Sequence, residues 1–458
     1  MRPFTPTQLN RIYLGCFGAY LLSAFLFVQY KPFWLDEIIQ LLHTRDVAFS
    51  RMLAGSRNPG ASFLPDFFQW LLVKVHYSRA MARGPAFLFG AASICLFSKL
   101  VRMAGLSAEF AVAAAFALLP IVLRYTTEAR PYSQGLFFTI AALVLLVAIE
   151  QAPTIPRSAY LFLATTAAMY SHPFTIFPII AAAFVFSTPF RNANWRLLLL
   201  PVLGACVAFA PWWATAVTTW NGAVAGSVSS ASSTVFDWKT PFRVLHEITE
   251  GGYVTGVCLL LLMLISVFSS DAQKPRRFAA SGFGGLILIL LIEDRLHYYF
   301  AARHLVFSLP LLVVAAGFAL EPAPKFSRAI GLTLWAILVT GSVTSIIIGA
   351  LRPRENWDAA AAKLALLARQ GDCIVTAGNG HLRYYAFFEP ELNKVSCQWQ
   401  AVTRIELAVD PYDAGEKLAA ISDLTAKGWR QSGEEETGKF QVIEFRRQGD
   451  RGNTPTRS

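Results

Sequence analysis

Charged residues are scarce in this sequence. They make up 15% of the 458 residues, whereas 55% are hydrophobic, and soluble globular domains usually carry about 25% charged residues. This shortage excludes an ordinary soluble protein and predicts an all-α polytopic membrane protein. The net charge of +11 does not indicate nucleic-acid binding, because the basic residues are spread through short segments between apolar runs, as the positive-inside rule explains.

Cysteine is scarce too, and no cluster of cysteine and histidine has the local spacing of a structural zinc site. Four of the six cysteines lie within apolar runs, and only Cys373 and Cys397 lie in polar sequence. In an external, oxidising compartment these two can form a disulfide, although the sequence does not show that they are close. The first apolar run lacks a small-residue cleavage site, so we expect an uncleaved first span.

Residues 1–350 hold the apolar runs that are long enough to cross about 30 Å of hydrocarbon. We predict about eleven transmembrane helices, near 11–30, 84–104, 107–123, 132–149, 157–171, 173–190, 196–215, 252–270, 278–293, 302–320 and 328–350.

The segment 62–77 is nearly apolar enough to be a twelfth span, but it contains Asp66, Lys74 and His76. If it does not cross and the N-terminus is cytoplasmic, the basic clusters between spans fall on the cytoplasmic side, as membrane insertion favours. If it crosses, all of them are external. We therefore interpret 62–77 as an amphipathic or re-entrant helix within an external loop at 31–83.

Charged residues become frequent after the last apolar run, which predicts a small external α/β domain at 351–447. A segment of this length can build its own core. Residues 448–458 have the composition of a disordered tail. The predicted elements are helices at 356–370, 381–388 and 411–427 and strands at 373–377, 394–399 and 439–446.

An acidic pair, Asp36 and Glu37, directly follows the first apolar run. Charged side chains near a membrane are costly, so their presence indicates a function. The alternative is structural, because acidic residues in a first helical turn complement the helix dipole. Both roles can hold at once.

Arginines lie at two other junctions on the predicted external side. One is the segment 124–132, RYTTEARPY, and the other is 293–304, which contains Arg303 and His304. Arginine suits bidentate contacts with phosphate. The alternatives are an ion pair between Glu128 and an arginine in the first segment and a snorkelling Arg303 in the second.

His172 stands before Pro173, where one apolar run ends and the next begins. A histidine at a helix break is more often a hydrogen-bonded structural residue than a ligand for a metal or a substrate. Both roles stay open for His172.

The order of these motifs resembles that of the membrane glycosyltransferases of the C superfamily. The motifs are FWLDE after the first span, an Asn-Pro turn at 58–59, EARPY at 128–132, the Ser-His break at 171–172 and the Arg-His start of a late span at 303–304. The resemblance is greatest to the bacterial branch similar to protein mannosyltransferases and aminoarabinose transferases.

The resemblance implies roles for particular residues. Asp36 would be the general base for the acceptor and Glu37 would orient the site. The donor and its phosphate would be held by Arg57, Arg130, Tyr132, Arg303 and His304. A divalent metal ion is the one cofactor left open, with His43 or His172 as the residues that would contact it or the acceptor.

The implied function is transfer of a hexose or pentose from a polyprenyl-phosphate-linked donor to a lipid, glycan or protein acceptor. The chain would lie in a bacterial-type inner (plasma) membrane, with its active site and α/β domain on the extracytoplasmic side. Direct displacement would invert the anomeric carbon. The alternatives from other classes are a transporter or flippase for lipid-linked glycans and a non-catalytic membrane assembly protein.

This topology predicts where reporter enzymes fused to the chain become active. A fusion at residue 190 should report the cytoplasm, and a fusion at the C-terminus should report the external side. Paired alkaline phosphatase and fluorescent protein fusions measure this directly. A cytoplasmic C-terminus would mean that 62–77 crosses the membrane or that another span is miscounted.

Overall fold

The structure is a computed structural model, and all structural statements concern the residues that it describes. These are residues 6–57, 62–187, 194–227, 238–268, 273–295, 302–321, 325–351, 355–378, 380–395, 397, 402–411, 414–437 and 439–447. The predicted disordered tail at 448–458 lies outside them, as does the Asn-Pro turn at 58–59.

Helices dominate the chain up to residue 351. In chain order they are α1 Pro6–Tyr30, α2 Leu35–Thr44, α3 Phe49–Gly55, α4 Phe63–Val75, α5 Arg79–Ala104, α6 Glu109–Ala117, α7 Pro120–Tyr125, α8 Tyr132–Gln151, α9 Ile155–Ser171, α10 Ile176–Ser187, α11 Trp195–Ser227, α12 Thr240–Glu247, α13 Gly252–Phe268, α14 Gln273–Arg295, α15 Ala302–Leu305, α16 Leu309–Gly317 and α17 Lys325–Leu351. Short 3-10 helices at Pro173–Thr175 and Phe318–Leu320 extend this set.

The chain divides into two compact units. The helical unit comprises Met1–Tyr30 and His43–Arg352, and the sheet unit comprises Lys31–Leu42 and Pro353–Ser458. The short segment Lys31–Leu42, which carries the acidic pair, therefore belongs with the C-terminal domain.

The helical unit has the composition of a multi-pass membrane protein. Six described helices are long and apolar enough to cross a membrane, and a seventh candidate is the bent pair of α12 and α13. The helix α16 is buried along its whole length, as expected for a helix that is apolar on all sides. Rings of Phe97 and Phe116 stack 4.0 Å apart in the same core.

The predicted count of eleven spans is not confirmed. The run at 107–123 is split because Pro120 begins a new helix, which leaves the short helices α6 and α7. The run at 302–320 is interrupted at residues 306–308 between α15 and α16. The helix α4 has 13 residues and is not among the candidate spans, and the interpretation of 62–77 as a segment that does not cross stays a prediction.

The sheet unit contains a four-stranded sheet and three helices after residue 355. They are α18 Trp357–Arg369, β1 Cys373–Thr376, α19 Leu382–Ala386, β2 Arg404–Val409, α20 Ala414–Ala426, β3 Trp429–Thr437 and β4 Phe440–Arg447, with a 3-10 helix at Pro390–Lys394. The strand order is β1-β2-β4-β3, and β1 pairs with β2 in parallel whereas the other pairs are antiparallel.

The predicted α/β character of this unit is confirmed, but the strands β2 and β3 were not predicted from the sequence. β3 is exposed along most of its length, so its acidic side chains carry no alternating apolar pattern. The prediction of a strand at 394–399 is wrong at residue 394, because Lys394 is the last residue of a 3-10 helix that begins at Pro390.

Cys373 and Cys397 form a disulfide, with their Cα atoms 5.3 Å apart. Cys373 lies in the core of the sheet beside Ile405 and Phe445. The crosslink therefore ties β1 to a segment that has no strand partner among the described residues.

Removal of this crosslink should destabilise the sheet unit. For a crosslink between residues 24 positions apart, the double substitution Cys373→Ser and Cys397→Ser should cost about 3 kcal/mol, because the unfolded chain regains loop entropy. Protease cleavage within residues 353–447, measured in rising urea concentrations on the detergent-solubilised full chain, should begin at lower urea.

The matched control is Cys95→Ser, which replaces an exposed free cysteine in the helical unit. Equal cleavage profiles for the double variant and this control would contradict the stabilising role.

Candidate functional site

The segment between α7 and α8 is a tight, buried turn. The hydroxyl of Thr126 donates to the carbonyl of Val122 (2.7 Å), and the N–H of Arg130 donates to the carbonyl of Glu128 (2.7 Å). Pro131 then precedes the first residue of α8. Because the turn satisfies these polar groups locally, it can be buried. Arg130 is accordingly only 6% exposed.

Arg124 at the end of α7 forms an ion-pair network. Its Nη1 lies 2.8 Å from Oε1 of Glu250, and its Nε lies 3.1 Å from Oε1 of Glu128. The hydroxyl of Tyr125 donates to the same Glu250 oxygen (3.0 Å). Glu250 has a left-handed backbone with φ of 50°, a conformation that costs energy for a residue other than glycine. Arg124 therefore forms the ion pair with Glu128 that was the structural alternative for this segment.

His172 connects α9 to the following 3-10 helix. Its Nδ1 accepts the N–H of Phe174 (3.3 Å), and its carbonyl accepts the hydroxyl of Thr175 (2.7 Å). Burial, together with the cations of Arg130 and Arg303, lowers the pKa of His172 to about 3. The imidazole is therefore neutral at pH 7, and because Nδ1 accepts a hydrogen bond, the proton is on Nε2.

His304 lies beside His172 and pairs with a carboxylate. Its Nδ1 hydrogen-bonds Oε1 of Glu293, and both side chains are buried. The ring stacks on Phe174 with centroids 4.3 Å apart, and it lies 5.3 Å from the ring of His172. An ionised carboxylate accepts the Nδ1 proton, which leaves Nε2 of His304 as the accepting nitrogen.

Five of the residues proposed from the sequence lie together in the helical unit. We call them the junction cluster: Arg130, Tyr132, His172, Arg303 and His304. The guanidinium of Arg130 lies 5.9 Å from the ring centre of Tyr132, and that ring lies 5.4 Å from the ring of His172. Arg303 is 8% exposed and acts electrostatically on His172. The cluster combines two buried guanidinium groups with two histidines, an arrangement suited to an anion.

Arg57 and His43 have other described contacts in the same unit. The guanidinium of Arg57 lies 5.5 Å from the ring centre of Trp212, and its side chain is exposed. His43 packs against Gly55, where an added Cβ would lie 2.9 Å from the His43 Cβ. None of these contacts involves a member of the junction cluster.

The acidic pair lies in the sheet unit, at the start of α2. The carbonyl of Trp34 accepts the N–H groups of Glu37 and Ile38, so Trp34 is the N-cap and Glu37 is the third helical residue. Oε2 of Glu37 accepts the N–H of Trp34 (3.3 Å), which is the acidic half of a capping box. The next N–H, that of Leu35, donates to Glu355 (2.9 Å).

The two acidic residues thus differ in environment. Glu37 is fully buried and caps the helix, as the structural alternative supposed. Asp36 is half-buried, so its carboxylate keeps some access to solvent.

Three carboxylates of the helical unit were not named as site residues from the sequence. They are Asp66 in α4, Glu250 before α13, and Glu293 in α14. Asp66 and Glu293 each interrupt an apolar run, which was the available signal. Glu250 directly precedes two glycines and carries no comparable signal.

His172 and His304 each use Nδ1 within the protein, for the N–H of Phe174 and for Glu293 respectively, which leaves one ring nitrogen of each for a ligand. Within the described ranges, no group of three or more His, Cys, Asp or Glu side chains could hold a metal ion. We therefore derive no step through a metal.

Comparisons with known proteins concern the fold. No protein-family model matches the chain, and no curated protein matches it in sequence. The chain is similar to the structure of ArnT from Cupriavidus metallidurans in the apo state, with 12% identity, a TM-score of 0.58, and coverage of 95% of this chain and 98% of that one. ArnT bound to undecaprenyl phosphate matches with 12% identity, a TM-score of 0.57, and coverage of 96% and 98%.

A third similar structure is the arabinofuranosyltransferase AftD from Mycobacteria. It shares 14% identity at a TM-score of 0.52, and the match covers 95% of this chain and 41% of that chain. These proteins are membrane glycosyltransferases of the C superfamily, and the similarity extends over nearly the whole chain. The chain described here therefore shares the fold of these proteins.

Proposed function

We propose that this chain is an integral membrane glycosyltransferase that uses a polyprenyl-phosphate-linked sugar as donor. The observation that carries the proposal is the junction cluster, in which Arg130 and Arg303 are buried beside the neutral His172. Buried guanidinium groups are suited to binding an anion such as phosphate, and the chain shares its fold with ArnT, whose structure has been solved with undecaprenyl phosphate.

The leaving group of such a donor is a polyprenyl phosphate. As the bond between the anomeric carbon and the phosphate oxygen breaks, negative charge grows on that oxygen. Preorganised cations in a site that excludes water stabilise this charge strongly. Arg130 and Arg303 have this role in our proposal. Tyr132 packs between Arg130 and His172 and keeps them in position.

Asp36 is proposed as the base. It would take the proton of an acceptor hydroxyl as that oxygen attacks the anomeric carbon, in one direct displacement with inversion. An acceptor phosphate would need no such proton transfer. Different roles within the pair are supported by their contacts. Glu37 bonds the N–H of Trp34 at the helix start, whereas Asp36 is half-buried and keeps some access to solvent.

The proposed location is a bacterial-type inner membrane, with the site and the sheet unit on the extracytoplasmic side. The disulfide between Cys373 and Cys397 supports an oxidising compartment for the sheet unit, because such bonds are rare in reducing cytoplasm. The acceptor is a lipid, a glycan or a protein, and the sugar is a pentose or a hexose.

Replacement of the proposed base should abolish transfer. Membranes carrying wild type or Asp36→Asn are supplied with undecaprenyl-phosphate-linked arabinose or mannose, each labelled in the sugar. We expect transfer by Asp36→Asn to fall roughly a hundredfold or more, because an amide cannot accept the proton.

The matched control is Asp46→Asn, since the Asp46 side chain is 81% exposed and asparagine tolerates its left-handed backbone. Undiminished transfer by Asp36→Asn would contradict the base. Absence of transfer by wild type from both donors would favour a transporter or an assembly protein.

Lipid phosphate binding tests the cation cluster separately from the chemistry. Arg303→Ala should weaken binding of undecaprenyl phosphate roughly ten- to hundredfold, because a charged hydrogen bond is lost in a buried site. Arg303→Lys should be intermediate, since lysine keeps the charge but not the bidentate geometry. Native mass spectrometry of the detergent-solubilised protein measures the affinities.

The control is Arg51→Ala, because Arg51 is exposed on α3. Equal affinities for Arg303→Ala and Arg51→Ala would show that Arg303 does not bind the phosphate.

A further inference from the structure

The carboxylate of Asp66 is fully buried in the helical unit, with an exposed fraction of 0%. Neither of its oxygens has a hydrogen-bond partner among the described residues. Buried polar groups in folded proteins are nearly always hydrogen-bonded, so each exception needs a physical explanation.

The neighbouring polar side chain on the same face of α4 shows the contrast. Gln69 lies one turn after Asp66 and is also buried. Its Nε2 donates to the carbonyl of Ala82 (3.0 Å), and its Oε1 accepts the hydroxyl of Thr44 (2.8 Å). The fold therefore satisfies the amide completely and leaves the carboxylate unsatisfied.

Helix capping does not explain the carboxylate. The helix α4 begins at Phe63, with Ser62 as its N-cap, so Asp66 is the fourth helical residue. Its own N–H already bonds the carbonyl of Ser62 (3.2 Å). The helix dipole favours a negative charge in this first turn, but it supplies no donor to either oxygen.

Aromatic packing fixes the helix that carries Asp66. The ring of Phe63 lies 6.3 Å from the ring of Tyr170 in α9, and the ring of Phe68 lies 5.4 Å from that of Phe89 in α5. Contacts on both sides hold α4 in place, so Asp66 cannot relax towards a partner by rotation of its helix.

Arg130 connects Asp66 to the junction cluster. Burial raises the pKa of the Asp66 carboxyl well above its usual range, and the Arg130 cation opposes this rise. The same cation acts on His172. Arg130 is therefore an electrostatic neighbour of both the cluster and the unsatisfied carboxylate.

We propose that Asp66 binds hydroxyl groups of the transferred sugar and so contributes to selection of the donor. The proposal rests on the proposed function, because it assigns the sugar end of a donor whose phosphate is held by Arg130 and Arg303. The two unsatisfied oxygens of Asp66 can accept two hydroxyl protons. Asp66 is a specificity residue in this assignment, and it takes no part in bond breaking.

The charges around Asp66 decide between ligand classes. An ammonium group would be repelled by Arg130, and a phosphate would bring acceptors to oxygens that need donors. Neutral hydroxyl groups avoid this repulsion and supply the missing donors. A site built for hydroxyl groups discriminates strongly against analogues without them, because its polar atoms are then left unpaired.

The test separates the sugar from the lipid phosphate. Thermal unfolding of the detergent-solubilised full chain is measured without ligand, with undecaprenyl phosphate, and with undecaprenyl-phosphate-linked arabinose or mannose. For wild type we expect stabilisation by the lipid phosphate and a further increment from the sugar of the preferred donor.

In Asp66→Asn, the shift with undecaprenyl phosphate should be unchanged and the sugar increment should be lost. The amide has the same shape but offers one acceptor oxygen where the carboxylate offers two. In transfer assays KM for the donor should rise roughly ten- to hundredfold, with a smaller change in kcat. Without ligand, the melting temperature should be equal to that of wild type or higher, because an unsatisfied buried carboxylate is removed.

Asp46→Asn is the matched control, since it makes the same change at an exposed site, and it should behave as wild type. Asp66→Glu tests the case in which Asp66→Asn does not fold, because it keeps the carboxylate and should alter the preference between the two sugars. A donor preference that Asp66→Glu leaves unaltered would overturn the assignment.

Three other outcomes would overturn the assignment. A full sugar increment in Asp66→Asn would overturn it while leaving the proposed function intact. A wild type that binds undecaprenyl phosphate but gains no increment from either sugar would overturn both the assignment and the proposed function. A lower melting temperature of Asp66→Asn without ligand, with the sugar increment retained, would assign Asp66 a structural role.

Discussion

The removal of Arg130 from water is the constraint on which the junction cluster depends. A buried guanidinium is costly unless its surroundings compensate it. The nearby His172 is neutral, and the carboxylate of Asp66 has no hydrogen-bond partner among the described residues. The ligand that we propose for this site has an anionic phosphate end and a hydroxylated sugar end.

Helix breaks bring these side chains together. Irregular backbone at membrane depth is tolerated only where protein or a cavity covers it. The turn before α8 and the 3-10 helix after His172 meet this condition, because the hydroxyls of Thr126 and Thr175 bond backbone carbonyls and both segments are buried. The breaks that reduce the number of long spans are therefore also the places where the polar side chains are held.

The two residues of the acidic pair lie in different environments. Glu37, the third residue of α2, bonds the N–H of Trp34 and stabilises the helix start. Asp36 directly precedes it in the helix and is half-buried. The capping role of Glu37 is therefore compatible with the catalytic role that we propose for Asp36, because adjacent helical positions face directions about 100° apart.

The sequence by itself determined the membrane character, the order of the motifs and the α/β character of the tail, since these follow from composition and from local periodicity. It also pointed to the arginines at helix junctions. Only the tertiary structure decided which side chains the buried carboxylates contact. Glu293 pairs with His304, Glu250 pairs with Arg124, and Asp66 has no hydrogen-bond partner within the described part of the chain. Those facts depend on contacts between residues far apart in the chain, and burial, which sets the cost of a charge, is a property of the folded molecule.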